Sequence, residues 1–401
     1  MKINFNSPRK KYLPLNILVF NLCRLWPFRK KTLWIFGAWE GEKYDDNSKS
    51  LYEYVNIFHR DTIKAIWLTN SCGVLESVRK LGYEAYLNKS FRGKMCQLRA
   101  GVAFYTNGLI DFGIIPLVGG AQVVALWHGM SFKKIYNGNY HGLSLFTKKI
   151  LDHFYSWTYR TITPVTSDYA CKWVEEMFTL NKKKIFITGQ PRNDSFKNIS
   201  KEVVLSKTSI DSRKRLILYM PTYRKPCLGA DAMDQIIVSL YNSEDLRLYL
   251  KNSNSVFVAK LHPLTPHINI ENTANFIILD NMAVKSNQEL LGVSDVLVTD
   301  YSSCFVDYAL LNRPIVFYVP DEALFLSQSE SMEKEFFTIE NMCKATSPNE
   351  LVDHLKDSGN KVSEATNLIF ENESIRGTCY SENVYNVICK EIGLNRYDKR
   401  T

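Results

Sequence analysis

The stretch VLVTDYSSCFVDYALLNRPIVFYVPD, residues 296–321, is the part of this chain whose pattern is most informative about the fold. It opens with a short apolar run, Val296–Val298, of the kind found in strands buried on both faces. Hydroxyl and carboxylate side chains interrupt the run, and helical spacing resumes over Phe305–Leu311. A second apolar run, Ile315–Tyr318, follows Pro314. The stretch therefore predicts a strand, a tight turn, a short helix and a second strand.

The turn in this stretch is a candidate phosphate site. A helix that begins at Ser302 or Ser303 would point backbone N–H groups and two hydroxyls at one spot beyond the strand, and helix N-termini bind anions. Asp307, one turn further along, is a candidate to accept hydrogen bonds from a ribose. The alternative is an ordinary α/β helix with a serine N-cap, which this stretch alone does not exclude.

Length, charge and cysteine usage limit the class of protein. A chain of 401 residues suits two α/β domains of roughly 150–200 residues each. A formal net charge of +9 suits an anionic partner, either a nucleotide phosphate or an anionic membrane surface. No zinc finger, RNA-binding signature or sustained basic helix supports nucleic-acid binding. The cysteines are scattered, odd in number and never spaced as CxxC, so we expect a reducing cytoplasm rather than disulfides or a zinc site.

Residues 1–31 predict membrane contact. An apolar stretch, Leu13–Phe28, lies between the basic runs Arg9–Lys11 and Arg29–Lys31. It is shorter than the ~20 residues that a spanning helix needs, and no small-residue cleavage site follows it. We expect an amphipathic segment bound peripherally to the cytoplasmic face of the cell membrane. The alternative is a helix packed on the protein's own surface.

From Leu33 onwards, strands and helices alternate. Repeated β-α units predict an α/β fold of mostly parallel sheets, with ligands beyond the carboxyl ends of the strands. The polar stretch Lys197–Arg215 marks a boundary between an N-terminal domain, 32–205, and a C-terminal domain, 206–401, which ends in helices. We expect both domains to be Rossmann-like and to face a central cleft. The predicted strands before residue 296 are Leu33–Phe36, Ile63–Leu68, Tyr83–Leu87, Ala103–Thr106, Val123–Trp127, Lys184–Thr188, Leu216–Met220, Val256–Leu261 and Phe276–Leu279.

Polar clusters follow five of the predicted strands. They are WHG at 127–129, GQPRND at 189–194, PTYR at 221–224, KLHP at 260–263 and TDYSS at 299–303. Each one alone also has a structural interpretation, such as a core histidine, an Asn/Asp-capped turn or a lysine lying along the surface. Because parallel strands end at one edge of a sheet, five such clusters together favour a functional site.

Several segments together resemble the CDP-glycerol glycerophosphotransferase family, the teichoic-acid and capsule polyol-phosphate transferases. They are GAWEGEKYDDNSKSLYEYV (37–55), LWHGMSFKKIY (126–136), VTSDYACKWVEEMF (165–178), TGQPRND (188–194), YMPTYR (219–224), KLHP (260–263) and LVTDYSSCFVDYALLNRPIVFYVPD (297–321). The resemblance implies a glycosyltransferase-B-like architecture with the nucleotide held mainly by the C-terminal domain. Two departures bear on donor or acceptor specificity: Met130 and Ser131 replace the usual Thr-Pro, and Gln190 replaces an aromatic or small residue.

The reaction that the resemblance implies suits these residues. An acceptor hydroxyl attacks the alditol-bearing phosphorus of a CDP-alditol and CMP leaves, so a base must take the hydroxyl proton. His128 is the candidate base, and His262 either protonates the leaving phosphate or orients the diphosphate. The candidate donor and phosphate ligands are Thr222, Arg224, Lys260, Thr299, Asp300, Ser302, Ser303 and Asp307. The candidate acceptor or cleft residues are Gly129, Lys133, Lys134, Arg192 and Asn193, with the lysines holding a phosphorylated polymer end.

Cofactors and partners follow from the same interpretation. We expect no tightly bound cofactor and no dedicated metal site, while Mg²⁺ on the diphosphate stays open. The expected partners are CDP-glycerol or another CDP-alditol, a polyol-phosphate or lipid-linked glycan acceptor and an anionic membrane surface; a homo-oligomer stays open. Two alternatives remain: a glycosyltransferase-B enzyme that uses a nucleotide sugar, and a non-catalytic polymer-binding subunit of an assembly complex.

Overall fold

The computed structural model of the protein describes residues 12–135, 161–178, 180–206, 208–225, 228–229, 231–280, 283–284, 286–328, 331–341, 343–357 and 369–394. The chain divides into two compact units, each built on its own parallel sheet. Unit 1 comprises residues 1–128, 136–194 and 372–401, and unit 2 comprises residues 129–135 and 195–371. Residues 1–11 of the predicted membrane segment lie outside the described residues, as does Tyr136 of the segment 126–136.

The described strands agree closely with those predicted. In unit 1 they are β1 Lys30–Phe36, β2 Lys64–Thr69, β3 Ala85–Leu87, β4 Ala100–Tyr105, β5 Gln122–Ala125, β6 Thr163–Val165 and β7 Ile185–Ile187. In unit 2 they are β8 Arg215–Met220, β9 Ser255–Ala259, β10 Phe276–Ile278, β11 Val296–Thr299, β12 Ile315–Tyr318 and β13 Lys344–Ala345.

The described helices connect these strands. From the start of the chain to the boundary they are α1 Leu13–Cys23, α2 Asp46–Phe58, α3 Cys72–Lys80, α4 Phe91–Arg99, α5 Asp168–Phe178 and α6 Lys201–Leu205. The later ones are α7 Ala232–Asn242, α8 Glu244–Asn252, α9 Asn287–Val293, α10 Cys304–Ala309, α11 Glu322–Gln328, α12 Lys334–Glu340, α13 Pro348–Lys356 and α14 Tyr380–Ile392.

Both large sheets are parallel and doubly wound, which confirms the predicted α/β class. The strand order is β3-β2-β1-β4-β5 in unit 1 and β10-β9-β8-β11-β12-β13 in unit 2; β6 and β7 form a separate parallel pair. In each large sheet the order reverses beside the first strand, between β1 and β4 and between β8 and β11. In open α/β sheets ligands bind at the carboxyl ends of the strands at this switch point.

Buried apolar side chains explain why the central strands form. Trp34, Ile35 and Phe36 of β1 are fully buried, as expected for a parallel strand covered on both faces. The ring of Phe36 stacks on that of Phe104 in β4, with centroids 4.5 Å apart. Each such buried side chain contributes roughly 1.5–3 kcal/mol to the free energy of folding. The polar loops that follow these strands are therefore carried on a rigid base.

The end of the chain belongs to unit 1, which differs from the predicted domain 206–401. Val384, Tyr385 and Ile388 of α14 are buried in the core cluster that contains β1 and α2. In addition, the carboxylate of Asp194 accepts hydrogen bonds from the backbone N–H groups of Tyr380 and Ser381, both at 2.8 Å. An apolar helix face is assigned to a core only by packing, which the sequence does not specify.

The segment Gly129–Ile135 belongs to unit 2, although the sequence placed it in the N-terminal domain. Phe132 holds the segment on unit 2 and is only 2% exposed. Its ring stacks on that of Phe305 in α10, with centroids 5.4 Å apart. The backbone N–H of Lys134 also donates to the carbonyl of Ser331 at 2.8 Å. The buried Phe132 ring and backbone hydrogen bonds to 331–333 thus anchor this segment to unit 2.

The predicted boundary segment contains a short helix. In this helix, α6, the Ser200 side chain accepts a hydrogen bond from the Val203 N–H and Leu205 is buried. The division between the units falls before it, between Asp194 and Ser195.

Helix α1 carries apolar side chains on both sides, so the described part of the N-terminal segment is not amphipathic in the predicted sense. Phe20 and Cys23 are buried against unit 1, whereas Leu15, Leu18 and Leu22 are exposed. Arg29, which follows the helix, links its end to the rest of unit 1. The guanidinium donates hydrogen bonds to the carbonyls of Cys23, Gln97, Ala100, Leu117 and Gly119. Among the helices that the structure describes, none has the length and apolarity required to traverse a bilayer.

Candidate active site

His128 follows β5 at the carboxyl edge of the unit 1 sheet. Its Nδ1 lies 3.3 Å from the carbonyl oxygen of Thr106, the residue that follows β4. Because a carbonyl can only accept a hydrogen bond, this contact places the proton of the neutral ring on Nδ1 and the lone pair on Nε2. The local geometry therefore gives His128 the tautomer that a general base requires.

Two tryptophans flank this imidazole. The Trp127 ring stacks on the His128 ring with centroids 4.4 Å apart, and the Trp39 ring lies at 5.9 Å. The ammonium of Lys43 lies 4.6 Å from the centroid of Trp39. The aromatic rings restrict the rotation of the imidazole and present apolar faces beside it.

Arg192 lies beside His128, as the sequence predicted for a residue of the same rim. Its Nη1 donates to the carbonyl oxygen of His128 at 2.8 Å and to Asp46 Oδ1 at 3.0 Å. Asn47 continues the network: its amide nitrogen donates to the Trp127 carbonyl at 3.0 Å, and its Oδ1 accepts from the Arg192 N–H. Arg192 thus positions the loop that carries His128. Its neighbour Asn193 is buried and donates its backbone N–H to the Gln190 carbonyl.

The loops around His128 hold unusual backbone conformations. Of the six described non-glycine residues with positive φ, four belong to these loops. They are Trp39 at 48°, Glu40 at 61°, Asp46 at 67° and Trp127 at 59°. Such conformations cost of the order of 1–3 kcal/mol each, so they persist only where surrounding contacts hold them. In known proteins they cluster at functional sites.

In unit 2, Arg224 makes contacts that differ from those predicted. Its guanidinium donates to Asp300 Oδ2 at 2.7 Å, to both oxygens of Asp321 at 2.7 and 2.9 Å, and to the Thr222 carbonyl at 2.8 Å. Four of its five N–H groups are thereby used. Burial alone lowers the pKa of Arg224, but Asp300 and Asp321 outweigh it and hold that pKa above its usual value. Arg224 therefore cross-links loops, and its proposed role as a phosphate ligand has little geometric support.

The same network joins the two strands at the switch point of unit 2. Asp300, fully buried after β11, accepts the backbone N–H of Thr222, which follows β8, at 2.8 Å. The Thr222 Oγ1 is itself buried and has no hydrogen-bond partner among the described residues. Among the described residues, Thr222 thus keeps an unpaired hydroxyl at the switch point, whereas the Thr299 Oγ1 donates to the Met220 carbonyl at 2.7 Å inside the sheet.

The predicted helix after β11 is confirmed but short. Helix α10 begins at Cys304, with Ser303 as its N-cap residue, and both Ser302 and Ser303 are half-buried. Asp307, predicted to contact a ribose, is 4% exposed and accepts a hydrogen bond from the Gln288 amide at 3.2 Å. Its burial does not favour a direct contact with a nucleotide.

Lys260 and His262 follow β9 and differ in exposure. Lys260 is buried, and its ammonium donates to the Val284 carbonyl at 2.7 Å. His262 is exposed, and its Nδ1 accepts the backbone N–H of Leu264 at 3.1 Å. This contact places the proton of the neutral His262 ring on Nε2. His262 thus has the tautomer of a hydrogen-bond donor.

The remaining predicted acceptor residues lie in the segment that packs on unit 2. Gly129 is buried with φ at 126°, a conformation that favours glycine, whereas Lys133 and Lys134 are half-buried.

Sequence reasoning did not single out several residues that build these networks. Asp46, Asn47 and Asp321 lie inside the segments that carry the family resemblance, so their position was available as a signal. Asp111 carries a weaker signal, a lone carboxylate between two glycines in NGLIDFG. Within the described ranges, no group of three or more His, Cys, Asp or Glu side chains is arranged to hold a metal ion.

The family model described as CDP-Glycerol:Poly(glycerophosphate) glycerophosphotransferase matches residues 18–383. The chain belongs to this family. Its sequence and fold are also similar to those of individual members. The teichoic acid poly(glycerol phosphate) polymerase of Bacillus subtilis (strain 168) is 28% identical over 313 residues, which cover 76% of this chain and 40% of that protein. The polymerase of the same name from Bacillus spizizenii is 29% identical over 324 residues, covering 76% of this chain and 77% of that protein.

A solved structure of the wall teichoic acid polymerase TagF has the same fold as the present chain. It superposes with a TM-score of 0.72 at 19% identity, over 96% of each chain. The match to the Bacillus subtilis relative, in contrast, spans less than half of that relative's length.

Proposed function

We propose that the protein transfers glycerol phosphate, or a related polyol phosphate, from a CDP-alditol to a hydroxyl of a cell-surface polymer or its lipid-linked primer. Family membership supports the donor class, because the family is described as using CDP-glycerol. The observation that carries the catalytic role is the contact between the His128 Nδ1 and the Thr106 carbonyl, which makes Nε2 the basic atom.

The reaction is a displacement at phosphorus. The acceptor oxygen forms a bond to the alditol-bearing phosphorus as its proton passes to His128 Nε2. The bond between that phosphorus and the bridging oxygen breaks, and CMP leaves with the electron pair. Donors fixed in advance around the phosphoryl group stabilise the charge that develops on it.

Unit 2 supplies groups suited to bind the CDP-alditol substrate. The Nε2–H of His262 is oriented as a donor by the Leu264 N–H on the opposite nitrogen, and the buried Thr222 hydroxyl lies at the switch point. Ser302 and Ser303, at the start of α10, add two hydroxyls at the same edge of the sheet. His262 then acts by donating to a phosphate oxygen or to the leaving CMP.

The exposed apolar side chains after residue 12 support peripheral membrane binding at the cytoplasmic face, where a lipid-linked acceptor would be met. Leu18, Leu22, Leu25 and Phe28 are between 56% and 79% exposed. Arg24, Lys30 and Lys31 are exposed in the same stretch, and basic residues beside apolar ones favour anionic membrane surfaces.

A donor panel tests the proposal directly. The protein is incubated with CDP-glycerol, CDP-ribitol and nucleotide sugars together with lipid-linked acceptors, and products are measured by mass. CMP release with extension of the acceptor by polyol phosphate is expected. Release of a nucleoside diphosphate from a nucleotide sugar would instead support the glycosyltransferase alternative. Polymer binding without any turnover would support the non-catalytic one.

A further inference from the structure

Asp111 is a buried carboxylate that the proposed mechanism does not use. It lies in a single 3₁₀ turn, Leu109–Phe112, and is fully buried. Its Oδ1 accepts the Glu40 N–H at 2.6 Å, and its Oδ2 accepts the N–H groups of Thr106 at 2.8 Å and Asn107 at 3.0 Å. A carboxylate that accepts three backbone donors from two loops joins those loops rigidly.

These two loops are the ones that meet the His128 ring. Thr106, held by Asp111, presents the carbonyl that faces His128 Nδ1. The Thr106 Oγ1 in turn accepts the N–H of Trp39 at 3.2 Å, and the Trp39 ring lies beside His128. Thr106 therefore links Asp111 both to the His128 ring, through its carbonyl, and to Trp39, through its hydroxyl.

The backbone strain in this region has the same anchor. Trp39 and Glu40 both have positive φ, a backbone conformation that residues other than glycine rarely adopt. The short contact from Glu40 N–H to Asp111 holds this conformation in place. Gly37 allows the approach, because a Cβ there would lie 3.0 Å from the Asp111 carbonyl oxygen.

We propose that Asp111 is a positioning residue for His128: it fixes the Thr106 carbonyl, which keeps the proton of the neutral imidazole on Nδ1 and the lone pair on Nε2. The inference rests on the proposed role of His128 as base. It adds that the tautomer of His128 is set by a carboxylate that contacts neither the imidazole nor the substrate.

A purely structural role makes a different prediction. A buried carboxylate that only stabilised the loops would lower stability when replaced, and activity would fall in proportion to the unfolded fraction. A positioning role predicts instead a selective fall in kcat and a change in the tautomer of one histidine in folded protein.

The first test is spectroscopic and uses the intact chain. Long-range ¹H–¹⁵N spectra of protein labelled with ¹⁵N-histidine report which ring nitrogen carries the proton, and His128→Gln assigns the signal. We expect wild-type His128 to show the Nδ1–H tautomer and Asp111→Asn to show a mixture or the Nε2–H form. Wild-type protein with the proton on Nε2 would overturn the inference, whether or not the variant folds.

The second test is kinetic. An asparagine at position 111 keeps the shape but offers one acceptor oxygen, so one loop loses its partner. We expect kcat for transfer from CDP-glycerol to fall roughly 10- to 100-fold in Asp111→Asn and further in Asp111→Ala. The fall in Asp111→Asn should not exceed that of removing a general base, about 10²–10⁴-fold, because the imidazole is still present. The KM for the donor should change by less than about threefold, since Asp111 does not reach donor-binding groups.

Tyr52→Phe is the matched control, because it removes another buried hydrogen bond of unit 1, from the Tyr52 hydroxyl to the Glu84 carbonyl at 2.8 Å. It should retain wild-type kcat and the wild-type tautomer. Equal losses of kcat in Tyr52→Phe and Asp111→Asn would contradict the positioning role.

Failure of the proposed function is distinguishable from failure of this inference. If no CDP-alditol is turned over but wild-type His128 shows the Nδ1–H tautomer and Asp111→Asn changes it, the positioning holds and the reaction is wrong. Normal turnover that is unchanged in Asp111→Asn leaves the reaction intact and rejects the positioning.

Discussion

The Nδ1 of His128 faces the carbonyl oxygen of Thr106 at 3.3 Å. The other candidate catalytic histidine, His262, has the opposite arrangement, with its Nδ1 accepting the Leu264 N–H at 3.1 Å. The backbone therefore sets a different tautomer for each ring: a basic Nε2 in His128 and a donating Nε2–H in His262. The two tautomers match the roles that we propose for these residues, His128 as the base and His262 as a hydrogen-bond or proton donor.

Removal of His128, the proposed base, should reduce turnover without reducing binding of the CDP-glycerol substrate. We expect His128→Ala to lower kcat by about 10²–10⁴-fold, the usual contribution of a general base, while the Kd for CDP-glycerol stays within about twofold. CMP release and isothermal titration measure the two quantities. His267→Ala is the control, since it removes an exposed histidine of unit 2. Retention of most activity by His128→Ala would show that another group is the base.

Substitutions at His262 should separate hydrogen bonding from proton transfer. A glutamine amide can place an N–H donor near the position of Nε2 but cannot deliver a proton. If His262 only binds phosphate, His262→Gln should retain at least about a tenth of wild-type kcat/KM, and His262→Ala much less. If His262 protonates the leaving group, both variants should lose kcat alike. Equal wild-type activity in both would remove His262 from the site.

Arg224 should contribute more to stability than any exposed ion pair. Its side chain is 2% exposed and is paired with Asp300 and Asp321. Replacing it by Met leaves two carboxylates without their partner, which costs about 3–5 kcal/mol when a buried pair is broken. Urea denaturation should show this loss in Arg224→Met. In contrast, Arg213→Ala, which breaks the exposed pair with Asp211, should leave the midpoint unchanged. An equal effect in both variants would contradict the structural role.

The stability of unit 1 should depend on pH through Asp111. Burial raises the pKa of Asp111 to about 7, against the N–H groups of Asn107 and Thr106, which lower it. Because the folded pKa lies above the ordinary value of 3.8, the stabilisation belongs to the protonated carboxyl: it is complete below that value and is lost as the pH rises through about 7. Above about pH 7 the folded protein holds the ionised carboxylate that accepts the three N–H groups, at the expense of this stabilisation. The difference corresponds to roughly 4 kcal/mol. Denaturation series from pH 4.5 to 8 should show this slope in wild type and a flatter one in Asp111→Asn; identical slopes would assign the dependence to other groups.

The exposed leucines of the N-terminal stretch should govern vesicle binding. We expect Leu18→Ser together with Leu22→Ser to weaken binding to anionic vesicles at least about tenfold, since each leucine contributes roughly 1.5–3 kcal/mol when fully buried. Vesicle co-sedimentation measures the partition. Leu248→Ser, at a half-exposed leucine of α8, is the control. Unchanged binding of the double variant would exclude this stretch as the membrane contact.

The sequence determined the parallel α/β architecture and most element positions. Apolar runs such as Val296–Thr299 and Ile315–Tyr318 are long enough to be strands and are bounded by turn residues, so local patterning fixes them. It also predicted that His128 and Arg192 follow strands, and the structure places them after β5 of the large sheet and after β7 of the separate pair, in contact through the His128 carbonyl. These predictions need only periodicity and the order of elements.

Tertiary structure alone decided which partner each polar side chain meets. Arg224 looks like a phosphate ligand in PTYR, but Asp321, distant in sequence, satisfies its guanidinium. Asp111 has no motif of its own and acquires its role from three N–H groups that folding brings around it. Hydrogen bonding is directional and short-ranged, so it depends on atomic positions that only the packed core sets. Periodicity specifies the elements, and packing specifies the contacts among the side chains that they carry.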